Sequence, residues 1–225
     1  MEDCMEMELN LDLLSLETNN AGKRIKHYSS SHKILLVGEG DFSFAACLGR
    51  SLGPGVNLVA TSLDSKETLQ YKYSGAMANL IVLEELGCTI IHGVDCGSMS
   101  QHEDLRFNFF DRIVYNFPHA GFFFCSENTS FVIEYHKELV SGFLRNAVHM
   151  LTENGEVHIT HKTSHPFNKW GIVELANAAG LRLLAEVPFW LWDYPGYANK
   201  RGDGRRSDES FPVGACSTFK FKRII

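Results

Sequence analysis

The segment KILLVGEGDFSF, residues 33–44, decides the predicted fold. Its unbroken apolar run at residues 34–37 is typical of a strand that is buried on both faces of a parallel sheet. Gly38 and Gly40 follow, and paired glycines allow a tight turn and a close approach of the backbone to a ligand. A helix is predicted to begin at Ser43. A strand, a glycine turn and a helix in this order predict a ligand site at the carboxyl end of the strand.

This turn lacks a third glycine, because Ser43 stands where a phosphate-binding loop has one. A backbone that need not grip a pyrophosphate is better suited to S-adenosylmethionine than to a dinucleotide. A tight turn without any ligand is the alternative. The candidate cofactor-binding residues of the turn are Gly38, Glu39, Gly40, Asp41, Phe42 and Ser43.

Composition indicates one globular α/β domain. The chain has 225 residues, of which 44% are hydrophobic, and no apolar run is long enough to cross a bilayer. The six cysteines are scattered without a CxxC pair, so neither a zinc site nor a disulfide framework is predicted, and we expect an intracellular protein with reduced thiols. The start of the chain lacks the basic leader of a secretory signal.

The net charge of −6 is concentrated at the start of the chain, since residues 1–22 contain six acidic and no basic side chains. Residues 1–30 are therefore interpreted as an acidic, disordered tail, and residues 31–225 as a single domain. The leucines at residues 9–16 suggest a docking motif for a protein partner, with a plain disordered extension as the alternative. The rest of the chain is neutral, and its basic patch near the end is compatible with RNA.

Two further strands are each followed by an acidic residue. Asp64 follows the strand predicted at residues 57–63 and lies roughly twenty residues beyond the glycine turn, a spacing that suits hydrogen bonds from ribose hydroxyls. Asp64 or Ser65 would alternatively cap the helix predicted over residues 65–86. Asp95 follows the strand at residues 88–94 and is the candidate acceptor for the adenine amine, with a plain turn residue as the alternative.

The fourth predicted strand, residues 112–115, ends in Asn116, Phe117, Pro118 and His119. The carboxyl ends of parallel strands share one crevice, so this tetrapeptide is expected beside the glycine turn. An Asn followed by an aromatic residue and a proline resembles the Asn/Asp-Pro-Pro-aromatic loop of methyltransferases that modify nitrogen, and this resemblance makes the four residues the candidate catalytic residues. A strand-ending turn, which Asn and Pro favour, is the alternative.

Residues 188–214 form a long connection without regular periodicity, which is usually functional in a small domain. Its aromatic and basic side chains are of the kind that stack on bases and bind phosphates in single-stranded RNA. Coverage of the sheet edge by the aromatic rings is the alternative. The candidate substrate-binding residues are Trp190, Tyr194, Tyr197, Lys200, Arg201, Arg205 and Arg206. The last strand, residues 215–221, is expected to be antiparallel at the sheet edge.

Seven strands alternating with helices, with the last strand reversed, resemble the Rossmann-like class I methyltransferases. Within that class, GEGDFSF, Asp64, NFPH at residues 116–119 and YPGY at residues 194–197 resemble the large-subunit (25S) rRNA uridine-N3-methyltransferases, over about residues 32–225. The resemblance implies S-adenosylmethionine as the methyl donor, uridine N3 in large-subunit rRNA as the acceptor, and a nucleolar, nuclear or cytoplasmic location.

A mechanism follows as a hypothesis. Asn116 orients the uracil imide, and His119 accepts its proton. A ring from Phe117 or from residues 189–197 stacks on the base. No metal is expected, because the histidines at 158, 161 and 165 lack ligand spacing. The alternatives are a non-catalytic RNA- or protein-binding module and a nicotinamide-dependent oxidoreductase.

Overall fold

The segment at residues 34–37 forms an interior strand of a seven-stranded sheet, in a computed structural model that describes residues 22–122 and 126–224. The strands are β1 (Arg24–Ile25), β2 (Tyr28–Ser29), β3 (Ile34–Val37), β4 (Leu58–Ser62), β5 (Thr89–His92), β6 (Phe110–Asn116), β7 (Leu151–Lys162), β8 (Leu181–Pro188) and β9 (Cys216–Arg223). The helices are α1 (Ser43–Leu52), α2 (Lys66–Lys72), α3 (Ala76–Glu85), α4 (Ser130–Ala147) and α5 (Ile172–Ala178).

The large sheet has the strand order β5-β4-β3-β6-β7-β9-β8. The strands β3 to β7 pair in parallel, and β9 runs antiparallel to both of its neighbours. The chain moves outward in one direction from β3 to β5 and then returns to place β6 on the other side of β3. This reversal opens a crevice at the carboxyl ends of β3 and β6. The predicted α/β, mostly parallel fold is confirmed.

Side chains of β3 point alternately into two cores. Leu35 and Val37 belong to one core with residues of α4 and α5, and Ile34 and Leu36 belong to the other with residues of α1 and α3. Helices therefore cover both faces of the sheet. This explains why the strand is apolar at every position rather than at alternate ones.

The position predicted for the last strand is wrong. β9 is antiparallel, as expected, but it lies between β7 and β8, and β8 forms the sheet edge. The burial of the two strands gives the physical reason. Seven of the eight residues of β8 are at least partly exposed, whereas β9 begins with four buried residues and carries the buried Phe221.

Two local predictions also differ from the structure. The helix predicted over residues 65–86 is divided into α2 and α3 at residues 73–75. Residues 22–30, assigned to the tail, contain the β1–β2 hairpin, whose Tyr28 is buried, so a disordered tail ending at residue 30 extends too far. The leucines at residues 9–16 lie outside the described residues.

No helix in the described ranges has the length and apolar character needed to span a membrane.

Candidate active site

An open cavity of about 700 Å³ lies at the carboxyl ends of β3 and β6. Residues 38–41 line it on one side, and Asn116, Phe117 and residues 119–121 line it on the other. The ends of β4 and β5 supply Asp64 and Asp95 to the same cavity. The glycine turn and the NFPH segment thus face one space, because β3 and β6 are neighbours in parallel register.

The glycine turn lies closely against Tyr115. Gly38 has a φ of 69°, and a Cβ atom built on it would be 2.5 Å from Cε2 of the Tyr115 ring. Only glycine satisfies both the left-handed backbone and this close approach. The turn therefore depends on the first glycine for its shape.

Two carboxylates of the turn cap the helix α1. Asp41 Oδ1 accepts a hydrogen bond from Ser43 N at 2.9 Å, and Glu39 Oε2 accepts one from Ala45 N at 3.1 Å. Burial raises the pKa of Glu39 to about 8 and also raises the pKa of Asp41. Acidic side chains thus occupy the helix N-terminus, which is where a nucleotide-binding turn would hold a phosphate.

Phe42 and Ser43 do not line the cavity. Phe42, with a φ of 60°, is fully buried in the core. Ser43 Oγ accepts a hydrogen bond from Ala198 N at 3.0 Å. The structure therefore gives these two predicted cofactor-binding residues supporting positions behind the turn.

Asp64 and Asp95 have different surroundings at the cavity wall. Asp64 Oδ2 forms a salt bridge with Lys72 Nζ at 2.8 Å, and Lys72 also lines the cavity. The cap of α2 is Ser65, whose Oγ accepts from Thr68 N at 3.2 Å, so Asp64 is not needed for that task. Asp95 is exposed, and its Oδ1 accepts from Gly97 N at 2.7 Å.

Asn116 lines the cavity and has an unsatisfied side-chain oxygen. Its Oδ1 is buried, and no hydrogen-bond partner for it exists among the described residues. A buried polar atom without a partner is destabilising, so such atoms often mark a ligand position. The amide is therefore available for a bound molecule.

Phe117 directs the chain after β6. It has a φ of 49°, and its N–H donates to Thr160 O at 2.8 Å. Its ring lines the cavity and packs edge-on against Phe189 and Phe211, with centroid separations of 5.6 and 5.4 Å. Pro118 is buried outside the cavity lining, so it shapes the loop rather than facing a ligand.

His119 lies at the cavity beside two groups that the sequence analysis did not identify. Its Nε2 is 3.3 Å from Glu127 Oε1, and the second oxygen of Glu127 is 3.2 Å from Nε2 of His136. Burial, followed by the neighbouring His136, lowers the pKa of His119 to about 4. The histidine is therefore neutral at pH 7.

A segment that we call the strap, residues 197–211, covers one side of the cavity. Tyr197, Lys200 and Arg201 of the strap line the cavity. Lys200 Nζ is 2.7 Å from Asp208 Oδ1, and the Arg201 guanidinium lies 4.4 Å from the centroid of the Phe122 ring. These three predicted substrate-binding residues are brought to the site.

The other predicted substrate-binding residues lie away from the cavity. Tyr194 is buried and stacks on Phe189 at 5.3 Å, so it belongs to the core. Trp190 stacks on Trp192 at 4.6 Å on the surface. Arg205 and Arg206 are exposed on the outer side of the strap.

Sequence reasoning missed Lys72, Tyr73, Glu127, His136 and Asp203. Lys72 and Tyr73 lie where one long helix was expected, and their position at the cavity depends on the break between α2 and α3. The hydroxyl of Tyr73 donates to Gly202 O of the strap at 3.2 Å. No spacing rule signals contacts between segments this far apart in the sequence.

Comparisons with known proteins agree with this geometry. Residues 35–201 match the family described as rRNA (uridine-N3-)-methyltransferase BTM5-like. An uncharacterized protein of Arabidopsis thaliana is 56% identical over 201 residues, which are 88% of this chain and 96% of that protein. The heavy metal-associated isoprenylated plant protein 41 of A. thaliana is 50% identical over 88% of this chain, which spans 38% of that longer protein.

A more distant relative has a named reaction. The 25S rRNA (uridine(2634)-N(3))-methyltransferase of Saccharomyces cerevisiae is 24% identical over 81% of this chain and 69% of its own length.

Solved structures of methyltransferases share the fold. TrmN from Thermus thermophilus matches with a TM-score of 0.54 at 17% identity, over 86% of this chain and 44% of its own. The glycopeptide N-methyltransferase MtfA, solved with S-adenosyl-L-methionine, matches with a TM-score of 0.52 at 12% identity, over 86% of this chain and 82% of its own. With the family match spanning most of the chain and the fold in agreement, the protein belongs to the rRNA (uridine-N3-)-methyltransferase BTM5-like family of methyltransferases.

Proposed function

We propose that the protein is an S-adenosylmethionine-dependent RNA methyltransferase that methylates N3 of a uridine in large-subunit rRNA. The observation that carries the proposal is the shared cavity, which is lined by the glycine turn and by Asn116, whose buried Oδ1 has no hydrogen-bond partner among the described residues. The reaction named for the yeast relative supports the choice of substrate.

The electrostatics of the turn support this cofactor. Glu39 and Asp41 place acidic groups at the N-terminus of α1, next to the cavity. A pyrophosphate at this position would meet side-chain oxygens that already accept the N–H groups of the helix, whereas S-adenosylmethionine has no phosphate that needs those N–H groups. The carboxylate of Asp64 is the proposed acceptor for the ribose hydroxyls, and Asp95 that for the adenine amine.

The acceptor side of the cavity supports recognition of a base. The side-chain amide of Asn116 orients the uracil imide, and the ring of Phe117, held by Phe189 and Phe211, stacks on the base. Methyl transfer is an in-line displacement, so the main tasks of the protein are alignment of the two reacting atoms and exclusion of water. Tyr197, Lys200 and Arg201 are the proposed contacts to the flanking nucleotide.

The experiment measures methyl transfer to rRNA. The purified protein is incubated with S-adenosylmethionine and rRNA from cells that lack it, and digested nucleosides are analysed by mass spectrometry. We expect 3-methyluridine to form. A product methylated at another position, or no methylated nucleoside, would contradict the proposed reaction.

Replacement of Asn116 separates catalysis from cofactor binding. For Asn116→Ala we expect turnover to fall on the order of 100-fold, because a group that holds the reacting atoms is lost. The dissociation constant for S-adenosylmethionine, measured by calorimetry, should stay within about twofold. Asn108→Ala is the matched control, since Asn108 precedes the other end of β6 and binds Lys33. Equal losses of binding and turnover in Asn116→Ala would contradict the assigned role.

The same calorimeter distinguishes the alternative cofactor. A nicotinamide-dependent oxidoreductase would bind NAD, whose pyrophosphate the capped turn disfavours. We expect heat of binding with S-adenosylmethionine and none with NAD. The reverse result would favour the oxidoreductase.

A further inference from the structure

The His119 ring is held at both of its nitrogen atoms. Its Nδ1 accepts a hydrogen bond from Gly121 N at 3.2 Å, and its Nε2 faces Glu127 Oε1 at 3.3 Å. A neutral imidazole has one protonated and one unprotonated nitrogen. Since Nδ1 is the acceptor, the proton lies on Nε2 and is donated to Glu127.

Glu127 is itself held by a second histidine. Its Oε2 is 3.2 Å from Nε2 of His136, a fully buried side chain of α4. The His136 ring stacks on Trp170 with a centroid separation of 4.4 Å and an interplanar angle of 19°. Its Nδ1 accepts a hydrogen bond from Ala120 N at 3.1 Å, which also ties the loop that carries His119 to the core.

We propose that Glu127 is a positioning residue that holds His119 with its proton on Nε2, so that Nδ1 is the atom that accepts the proton of the uracil imide. This inference rests on the proposed function. The arrangement has the logic of a carboxylate–histidine pair, in which the carboxylate selects the tautomer and stabilises the imidazolium that forms.

The uracil N3–H replaces the Gly121 N–H at Nδ1, and the N3–H bond breaks with transfer of its proton to Nδ1. The electron pair left on N3 forms the new bond to the methyl carbon. The bond between sulfur and that carbon breaks, and its electron pair returns to sulfur, which gives S-adenosylhomocysteine. Glu127 faces the resulting positive charge through Nε2–H.

Charged groups around the ring agree with this role. His136 opposes protonation of His119, whereas Glu127 and Asp203 of the strap favour it. His161 of β7 lies near the same cluster, and burial lowers its pKa to about 4, so it adds no charge at pH 7. His119 therefore starts neutral with its lone pair available, and Glu127 is the nearest group that favours the protonated form.

A metal ion is the competing interpretation of this cluster. The ligand atoms of His119, Glu127 and His136 lie within 4.8 Å of one another. Coordination of a metal ion through the Nε2 atoms of His119 and His136 would place the proton of each ring on Nδ1. Each Nδ1–H would then point at a backbone N–H. Two facing donors repel, so the hydrogen bonds from Gly121 and Ala120 favour the metal-free pair.

The tautomer is tested directly by nitrogen NMR of the full chain with ¹⁵N-labelled histidine. We expect the Nε2–H form of His119 in the wild-type protein and a mixture of both tautomers in Glu127→Gln. Glu134→Gln is the matched control, because Glu134 is an exposed carboxylate of α4 that pairs with Lys137. Equimolar Zn²⁺ should leave the His119 signals unchanged. An Nδ1–H signal in the wild type, or its appearance with Zn²⁺, would overturn the proposal.

Kinetics test the consequence for the reaction. In Glu127→Gln we expect kcat to fall about 10- to 100-fold with the KM for S-adenosylmethionine within about twofold, since only the proton acceptor is affected. The acid limb of the pH profile of kcat should move to lower pH, because the carboxylate that favours protonated His119 is gone. Glu127→Asp should recover part of the loss.

The outcomes separate the two proposals. An unchanged kcat and pH profile in Glu127→Gln would overturn the role of Glu127. A wild-type protein that shows the Nε2–H tautomer but forms no 3-methyluridine would contradict the proposed function instead. Equal melting temperatures of the variants by circular dichroism would show that the kinetic differences do not arise from unfolding.

Discussion

Phe117 shows how one residue shapes the site at a local energetic cost. A left-handed φ in a residue with a side chain costs about 1–3 kcal/mol and persists only where surrounding contacts impose it. Here those contacts are the hydrogen bond to Thr160 O and the two rings packed against Phe117. The sharp change of direction follows directly after Asn116 and leaves its amide at the cavity.

Gly38 allows a prediction at the same scale. Gly38→Ala combines a strained φ, which costs about 1–2 kcal/mol, with overpacking against Tyr115, which costs about 1–3 kcal/mol more. We expect the free energy of unfolding in urea to fall by both amounts and binding of S-adenosylmethionine to weaken. Gly87→Ala is the control, because Gly87 has a φ of 74° but open space around its Cβ position. Similar losses in both variants would show that the Tyr115 contact is unimportant.

The strap is the element that joins the two sides of the cavity. Lys200 reaches Asp208 within the strap and lies 3.9 Å from Asp41 of the glycine turn. Asp203 Oδ2 accepts a hydrogen bond from Phe122 N at 3.1 Å, on the side of the NFPH loop. One irregular segment therefore connects the glycine turn with the loop that follows Asn116.

The two arginines of the strap are predicted to differ in RNA binding. Arg206 Nε pairs with Glu209 at 2.7 Å, whereas no carboxylate in the described part of the chain pairs with Arg205. A cation already paired with a carboxylate gains less from a phosphate. We expect Arg205→Ala to weaken RNA binding and to reduce the slope of log K against log salt concentration by about one. Arg206→Ala should cause a smaller loss of affinity and a smaller change of slope.

Fluorescence anisotropy with a labelled rRNA fragment at several salt concentrations measures this slope. Lys222→Ala is the control, since Lys222 lies on β9 outside the cavity lining. If neither strap variant differs from the control, the strap does not contact the phosphates of this RNA.

At the scale of the whole molecule, buried titratable groups predict how stability depends on pH. Burial lowers the pKa of His27, His119, His158 and His161 to about 4, from 6.5. Between these values the unfolded chain binds more protons than the folded one, so stability is lost as pH falls from 6.5 toward 4. Glu39, whose pKa is raised to about 8, acts in the opposite sense. Its contribution to the stability of the folded protein is lost as pH rises from 4.5 to 8.

Because four histidines act against one glutamate, we predict a maximum of stability near pH 6.5. Urea unfolding followed by circular dichroism should give midpoints that decline steeply toward pH 5 and gently toward pH 8. Glu39→Gln should remove the gentle decline, because the amide cannot titrate but can still accept from Ala45 N. A midpoint that rises between pH 6.5 and 5 would contradict the neutral, buried state of these histidines.

Much of the fold was predictable because its signals are local. A fully apolar run such as residues 34–37 is compatible with few environments, and paired glycines after it restrict the turn. These patterns predicted β3, the parallel sheet and the shared crevice that places residues 38–41 opposite Asn116. The family resemblance in the same motifs was confirmed by the family match.

Other features depend on contacts between distant segments. Three such features leave no periodic signal in the sequence. They are the insertion of β9 between β7 and β8, the burial of Tyr194, and the placement of Glu127 between His119 and His136. The amino-acid sequence by itself determined which residues form the central strands and the cavity-facing turns, since those choices are made by neighbours along the chain. Only the tertiary structure decided which strand lies at the edge and which side chains hold His119, because burial and hydrogen bonding there depend on the packing of the whole sheet.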